Sequence, residues 1–162
     1  MIRIRAAERA DAPGLVALIR ALAEFERLPG PDDAAVARLV EDAFGSRPRI
    51  EVLLAELEAE PGGAADAAAA PVAYAILFMT YSTFRARPTL FLEDLFVHPR
   101  ARRRGVARAV LDHLQALARA RGCGRVEWMV LDWNTDAQEL YDRYGATRLD
   151  DWKLYRVDLP ES

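Results

Sequence analysis

The stretch that decides the fold runs from Leu90 to Arg121 and reads LFLEDLFVHPRARRRGVARAVLDHLQALARAR. Its first eight residues are apolar on both alternating faces, which predicts a strand buried on both sides. Only the pair Glu93 and Asp94 interrupts this run, and Pro99 ends it because proline cannot donate to a strand ladder. Apolar residues then recur at helical spacing as far as Gly122, which predicts a helix. The stretch is therefore a strand, a turn and a helix.

Arginines crowd the start of that helix, at positions 100, 102, 103 and 104. Cations are mildly unfavourable there because the helix dipole already places partial positive charge at its N-terminus. A bound anion would reverse the penalty, and Gly105 would let a phosphate come close to the backbone N–H groups. The alternative interpretation is a basic helix start that is simply solvated.

The whole chain has the composition of an ordinary soluble domain: 162 residues, 52% hydrophobic and 29% charged, which predicts one domain over residues 1–162. The net charge of −3 argues against nucleic acid as a partner. No stretch has the composition of a membrane span or a signal peptide, so no membrane partner is expected. A single cysteine, Cys123, predicts a reducing, cytoplasmic location, and His98 and His113 lack metal-ligand spacing, so no metal is expected.

The remaining pattern predicts the element order βααβββαβαββ, a mixed α/β sheet with flanking helices. Helices are expected after Asp11, after Asp32 or Asp33, after the arginine turn, and over 136–144. Besides the strand at Leu90, strands are predicted over 2–5, 50–57, 72–81, 125–131, 147–149 and 152–157. Residues 58–71, EAEPGGAADAAAAP, predict a mobile hairpin loop.

The pattern Arg102-x-x-Gly105-x-Ala107 after a buried strand resembles the acetyl-CoA-binding signature of the GNAT acetyltransferases. The strings LIRALAEFE (18–26), VLDWN (130–134) and LYDRYGA (140–146) extend the resemblance over nearly the whole chain, within the diamine (spermidine/spermine) and thialysine acetyltransferase branch. YSTF (81–84) is more similar to the thialysine form than to the polyamine form. The resemblance implies the GNAT (acyl-CoA N-acyltransferase) fold and a homodimer.

The resemblance also implies roles for individual residues. Backbone contacts to the pantetheine arm are assigned to Leu95, Phe96 and Val97. The pyrophosphate is assigned to Arg102, Arg103, Arg104, Gly105, Val106, Ala107 and Arg108. Further cofactor contacts are assigned to Asn134, Thr135, Asp136, Ala137 and Tyr141. The amine is expected to meet Phe25, Glu26, Ser82, Thr83, Glu93, Glu127, Trp128 and Met129, and catalysis is expected from Glu93 and Tyr141.

The chemistry of acetylating an amine needs a base. An alkylammonium with a pKa near 10.4 is a free amine in only about one molecule in 2,500 at pH 7. Glu93 is suited to accept its proton because burial raises the pKa of a carboxyl group. Asp94 should point to the opposite face unless a β-bulge intervenes, and such a bulge could also free an N–H group for an oxyanion.

Both catalytic residues have structural alternatives. Glu93 could cap neighbouring backbone groups, and Tyr141 could be a core aromatic.

The sequence therefore predicts an acetyl-CoA-dependent N-acetyltransferase in which a small-molecule primary amine attacks the thioester directly. The expected substrate is a lysine-like amino acid such as thialysine, or a diamine or polyamine. Two alternatives remain open: acetylation of a protein or peptide, and a CoA-binding regulatory module without catalysis.

Overall fold

The computed structural model describes residues 1–58 and 70–159 and contains one mixed five-stranded sheet. Its strands are β1 (Ile2–Ala6), β2 (Glu51–Leu57), β3 (Ala73–Ser82), β4 (Arg87–Val97) and β5 (Arg125–Trp128). They lie in sequential order, antiparallel from β1 to β4, with β5 parallel to β4. The α3 helix connects those two parallel strands, as a crossover connection must. The mixed sheet predicted from the sequence is confirmed.

Four α-helices are present in the described ranges: α1 (Ala12–Glu26), α2 (Asp33–Phe44), α3 (Val106–Ala120) and α4 (Thr135–Tyr144). Asp32 caps α2 by accepting a hydrogen bond from the Ala35 N–H at 2.7 Å. Asp11 lies at the start of α1 as predicted, but its carboxylate does not cap that helix. It binds the guanidinium of Arg5 through both oxygens, at 2.7 and 2.8 Å, and so ties the helix start to β1.

The core of the sheet lies on two faces. On one face, Val52, Leu54, Tyr74, Ile76 and Phe96 pack against Leu15 and Leu18 of α1, with partly buried residues of α2 around them. Because side chains alternate along a strand, residues such as Leu77 and Leu92 face the other side. There α3 contributes its buried stripe of Val106, Val110, Leu111, Leu114 and Ala118. The β4–α3 unit therefore forms the centre of the fold.

The chain divides into two units, Met1–Met129 and Val130–Ser162. In the described part of the second unit, only α4 has regular structure, and the strands predicted over 147–149 and 152–157 are wrong. Their apolar side chains alternate along the sequence but are exposed. Alternation alone does not make a strand, because a strand needs a neighbouring backbone, and no described residue pairs with this segment. The fifth strand also ends at Trp128 rather than Leu131. The loop predicted over 58–71 lies mostly outside the described residues.

Candidate active site

The strand β4 has an open edge beyond Leu92. Its pairing with β5 covers only Thr89–Leu92, whereas its pairing with β3 continues to Val97. The backbone from Asp94 to Val97 is thus paired on one side, and β5 does not cover the other. A ligand with amide groups can add to such an edge in the manner of a short strand.

The register shows which backbone groups this edge offers. The His98 N–H donates to the Val72 carbonyl at 2.8 Å, so alternation turns the N–H and C=O of Phe96 toward β3. Those of Leu95 and Val97 turn the opposite way, toward the open edge. The Val97 carbonyl already accepts a hydrogen bond from Arg102 Nε at 3.2 Å. The groups left for a ligand are therefore both of Leu95 and the N–H of Val97.

The turn between β4 and α3 brings backbone N–H groups to one place. Arg103 and Gly105 both have left-handed backbone conformations, with φ of 58° and 81°. Gly105 is the N-cap of α3, and no side chain caps this end of the helix. The first N–H groups of a helix have no partner within it, and the helix dipole adds positive potential there. This turn fits a pyrophosphate.

Gly105 gives this turn a left-handed backbone conformation. A Cβ atom placed on Gly105 would meet only Ile2 Cδ1, at 4.0 Å, which is an ordinary contact. The protein itself therefore leaves room for a side chain at this position, and the expectation that such a side chain would block a phosphate stays a prediction. A side chain at φ of 81° is instead strained, because the left-handed conformation is costly for any L-residue other than glycine.

Arg102 connects the turn between β4 and α3 to other parts of the first unit. Its guanidinium carbon lies 4.7 Å from the centre of the Phe25 ring, while Nε donates to the Val97 carbonyl. One side chain thereby links the turn, the end of β4 and the end of α1. The sequence assigned Arg102 to the pyrophosphate, and the structure adds these two protein contacts, which no sequence pattern indicated.

A β-bulge at Glu93 decides the placement of the two carboxylates. Leu92 pairs with Leu77 and Asp94 pairs with Ile76, so Glu93 is the extra residue. Phe91 pairs with Phe78, which lies on the same face of β3 as Ile76, and Asp94 therefore shares the face of Phe91. The bulge that the sequence left as an alternative is present. Asp94 thus faces α1 and α2 and does not lie on the opposite face.

Burial distinguishes these two carboxylates. Glu93 is exposed, so the burial expected for this carboxylate is not found. Asp94 is partly buried and accepts a hydrogen bond from the hydroxyl of the fully buried Tyr74 at 3.3 Å. Its pKa is raised to about 6, chiefly by burial and then by the nearby charge of Glu93. Sequence reasoning missed both Asp94 and Tyr74 because the bulge is a tertiary feature.

Other residues predicted to meet the amine lie at the end of α1 and on β5 or just after it. Phe25 and Glu26 are the last two residues of α1. Besides burial and the charge of Glu93, the charge of Glu26 raises the pKa of Asp94, so Glu26 lies in the neighbourhood of the bulge. Glu127 pairs with Phe91 and hence shares its face, although Arg125 holds its carboxylate at 2.8 Å. Trp128 pairs with Leu92 and therefore faces α3, and Met129 follows the end of β5.

Ser82 and Thr83 lie far from the bulge, at the end of the β3–β4 hairpin. Ser82 is buried, and its hydroxyl accepts a hydrogen bond from the Arg85 N–H at 3.4 Å. Ser82 lies six positions along β3 from Ile76, the partner of Asp94, and this is a distance of about 20 Å. Within one copy of the chain, a lysine-sized amine beside Asp94 therefore does not contact Ser82.

The second unit holds the remaining predicted cofactor residues on one short helix. The Asn134 side chain caps α4 by accepting from the Ala137 N–H at 3.3 Å, and Thr135 and Asp136 form its first turn. Gly145 ends the helix in a left-handed conformation. Tyr141 lies on this helix, and burial raises its pKa, so its hydroxyl remains protonated near neutral pH.

Across residues 1–58 and 70–159, no cluster of three or more histidine, cysteine or acidic residues is arranged to hold a metal ion. Over the same ranges, no helix combines the length and apolarity needed to cross a membrane.

Comparison with known proteins shows the family of this chain. The profile of the acetyltransferase (GNAT) family matches residues 17–146. The chain is 32% identical over 160 residues to a thialysine N-epsilon-acetyltransferase from Bos taurus, covering 97% of this chain and 92% of that protein. It is 28% identical over 190 residues to an L-ornithine N5-acetyltransferase from Arabidopsis thaliana, covering 96% and 83%. The chain therefore belongs to the GNAT acetyltransferase family and is an N-acetyltransferase.

Solved structures agree on the fold. A complex of AAC(6')-Iy with the bisubstrate analogue CoA-S-monomethyl-acetylneamine superposes with a TM-score of 0.74 at 20% identity, covering 98% of this chain and 99% of that one. The family uses acetyl-CoA, and the relatives confirm the resemblance to the thialysine and diamine branch.

Proposed function

We propose that this chain transfers the acetyl group of acetyl-CoA to the side-chain amine of a lysine-like amino acid or a diamine. The observation that carries the proposal is the sequence of features along β4 and α3. A bulge with two carboxylates is followed by an open strand edge and then by an uncapped, left-handed turn at a helix start. A molecule with a reactive acyl group, an amide-containing arm and a pyrophosphate fits these three features in that order.

Each feature has a separate task in this proposal. The Leu95 and Val97 backbone groups hold the amide arm, and the turn from Arg103 to Val106 holds the pyrophosphate. The thioester supplies an acyl group whose sulfur is a good leaving group. The carboxylates at the bulge attract the ammonium group and accept its proton. Making the amine nucleophilic at pH 7 otherwise costs about 4.6 kcal/mol, so the acceptor is essential.

Tyr141 of the second unit is proposed, by resemblance, to donate a hydrogen bond to the departing thiolate. Full proton transfer from a phenol with a pKa of about 10 to a thiolate whose conjugate acid has a pKa of about 8.5 is uphill by about 2 kcal/mol. A hydrogen bond without full transfer avoids that cost. Asn134, Thr135, Asp136 and Ala137 are proposed to contact the cofactor by the same resemblance.

The names of the relatives support an amino acid with a side-chain amine as the substrate of this chain. The Bos taurus relative is named for thialysine and the Arabidopsis thaliana relative for L-ornithine, and both cover most of this chain. The acidic surroundings of Asp94, Glu93 and Glu26 suit the ammonium end of such a molecule. Because Ser82 lies far from this end, we assign it no part in holding the amine within one copy.

We also propose a homodimer, as the resemblance implies. The described end of the second unit exposes large apolar side chains, among them Trp152 at 78%, Leu154 at 69% and Tyr155 at 90%. A run of exposed large apolar residues is unusual for a soluble monomer, and a second copy of the chain would cover it. Sedimentation velocity distinguishes a monomer from a homodimer.

The single domain over 1–162 and the cytoplasmic location stay predictions.

Release of CoA in the presence of a panel of acceptors tests the activity. Thialysine, lysine, ornithine, spermidine and a lysine-containing peptide are each mixed with acetyl-CoA and the enzyme. Release with free amino acids and little with the peptide is expected. Release with the peptide alone would favour protein acetylation, and CoA binding without release for any acceptor would favour a regulatory module.

A further inference from the structure

The strand β3 has an open edge of its own, at the end of the sheet away from the bulge. Its pairing with β2 stops at Leu77, opposite Glu51, whereas its pairing with β4 continues to Ser82. Residues 78–82 are therefore paired on one side, and no strand in the described ranges covers the other. We call this segment the β3 edge. It is accessible, with Met79 41% and Tyr81 63% exposed.

The pairing with β4 shows which backbone groups the β3 edge offers. Tyr81 pairs with Pro88, whose carbonyl accepts a hydrogen bond from the Gly124 N–H at 2.9 Å and so points away from β3. Two opposite residues of an antiparallel pair turn their backbone groups either toward each other or away from each other. The N–H and C=O of Tyr81 therefore point to the open side, and alternation gives those of Met79 the same direction. The β3 edge thus presents one donor and one acceptor on either side of Thr80.

The β3 edge lacks the features that usually keep edge strands apart. Exposed edges in soluble proteins commonly carry a charge, a proline or a bulge, each of which hinders pairing with another chain. The sequence from Ala73 to Phe84 contains no charged residue and no proline. The register shift between β3 and β4 lies between Ile76 and Leu77, before the β3 edge begins. This edge is therefore suited to receive another strand.

The arrangement about Thr80 favours a second copy of this chain as that strand. Homodimers are most often two-fold symmetric, so that a residue on the axis lies opposite itself. With Thr80 on the axis, Met79 lies opposite Tyr81 of the second copy, and Tyr81 lies opposite its Met79. Both residues turn their backbone groups outward, so each of these pairs can exchange two hydrogen bonds. Thr80 then occupies a position where opposite side chains are close, and two threonines make a favourable pair there.

We propose that two copies of this chain join through the β3 edge, in an antiparallel pair centred on Thr80. The two five-stranded sheets then form one continuous sheet across the two-fold axis. This inference rests on the proposed homodimer and names the strand at which the copies meet. It stands on the first unit alone and does not depend on acetyl transfer.

Opposite charges at position 80 test this symmetry. Thr80 is exposed, so a charged side chain fits there in the single chain. Thr80→Lys places two ammonium groups opposite each other on the axis, and Thr80→Glu places two carboxylates there. Each variant alone should therefore dimerise about tenfold or more weakly than the wild type. An equimolar mixture should regain the dimer, because lysine then lies opposite glutamate.

Sedimentation velocity over a dilution series measures these samples, with Ala116→Lys as the control. This control adds the same charge at an exposed position of α3 and should dimerise like the wild type. Thr80→Lys and Thr80→Glu dimers as stable as the wild type would overturn the proposal, and so would a monomeric wild type. Loss of the dimer in both variants without recovery in the mixture would contradict the pairing of position 80 with itself.

Amide hydrogen exchange tests the same pairing without relying on mass. The N–H groups of Met79 and Tyr81 should exchange more slowly in the wild-type dimer than in Thr80→Lys, because only the dimer gives them acceptors. Equal exchange rates in the two proteins would contradict the proposal. CoA release by the same wild-type sample reports on the transferase activity separately. A dimer with protected amides that releases no CoA with any amine would refute the activity and support the interface.

Discussion

Replacing Gly105 with alanine tests whether the left-handed turn at the start of α3 binds the pyrophosphate. A Cβ atom at this position meets only Ile2 Cδ1 at 4.0 Å, so no clash is expected. The cost is conformational, because alanine at φ of 81° is strained by about 1–2 kcal/mol. If the turn relaxes to relieve that strain, acetyl-CoA must restore it on binding, and its affinity should fall by about 5–30-fold.

Gly122 provides a matched control at the other end of the same helix. Its φ is 69°, and a Cβ atom there meets nothing within 4 Å, so Gly122→Ala carries a similar strain. Both variants should lose about 1 kcal/mol or more of unfolding free energy in urea, but only Gly105→Ala should weaken CoA binding in calorimetry. Pantetheine, which lacks the pyrophosphate, should bind both alike. Equal CoA affinity of the two variants would refute the phosphate-binding role of this turn.

Four further predictions follow from the same structure. Since burial holds the pKa of Asp94 at about 6 instead of 3.8, Asp94→Asn should raise the urea-measured stability at pH 7 by up to about 3 kcal/mol, and the gain should disappear below pH 3.8. Arg5 lowers the pKa of Asp11 from 3.8 to about 2, so Asp11→Asn should cost about 2 kcal/mol at pH 7 and almost nothing near pH 2 by the same assay. Tyr141→Phe should lower kcat with little effect on the KM for the amine, and an unchanged kcat where chemistry limits the rate would make it a core aromatic. Ser82→Asp should leave the ratio of kcat/KM for thialysine and spermidine within about twofold, because about 20 Å of strand separates it from the bulge, and a shift toward spermidine would mean that a second copy brings Ser82 to the site.

The β4–α3 unit could be predicted from the sequence because its signals are local. A short run that is apolar on both faces and ends at a proline favours a buried strand, and the spacing from Val106 onward fits a helix. The arginine turn and Gly105 are local signals too, and they predict an anion site. The reason given for Gly105 was incomplete, since a sequence does not show that its φ is positive.

The features that could not be predicted depend on pairing partners. The bulge arises from the register between β3 and β4, and it moves Asp94 onto the face of Phe91. Without the bulge, Glu93 would pair with Ile76 and share the face of Phe91 in place of Asp94. The strands expected over 147–149 and 152–157 failed likewise, because alternation makes a strand only where another backbone completes the ladder.

The nitrogen that carries the acetyl group in the product tests the central claim most directly. The enzyme is incubated with acetyl-CoA and thialysine, and the product is analysed by tandem mass spectrometry together with the amount of CoA released. One acetyl group on the side-chain nitrogen for each CoA released is the predicted result. Acetyl-CoA that binds but stays intact with every free amine, or acetylation at the α-amino nitrogen alone, would contradict it.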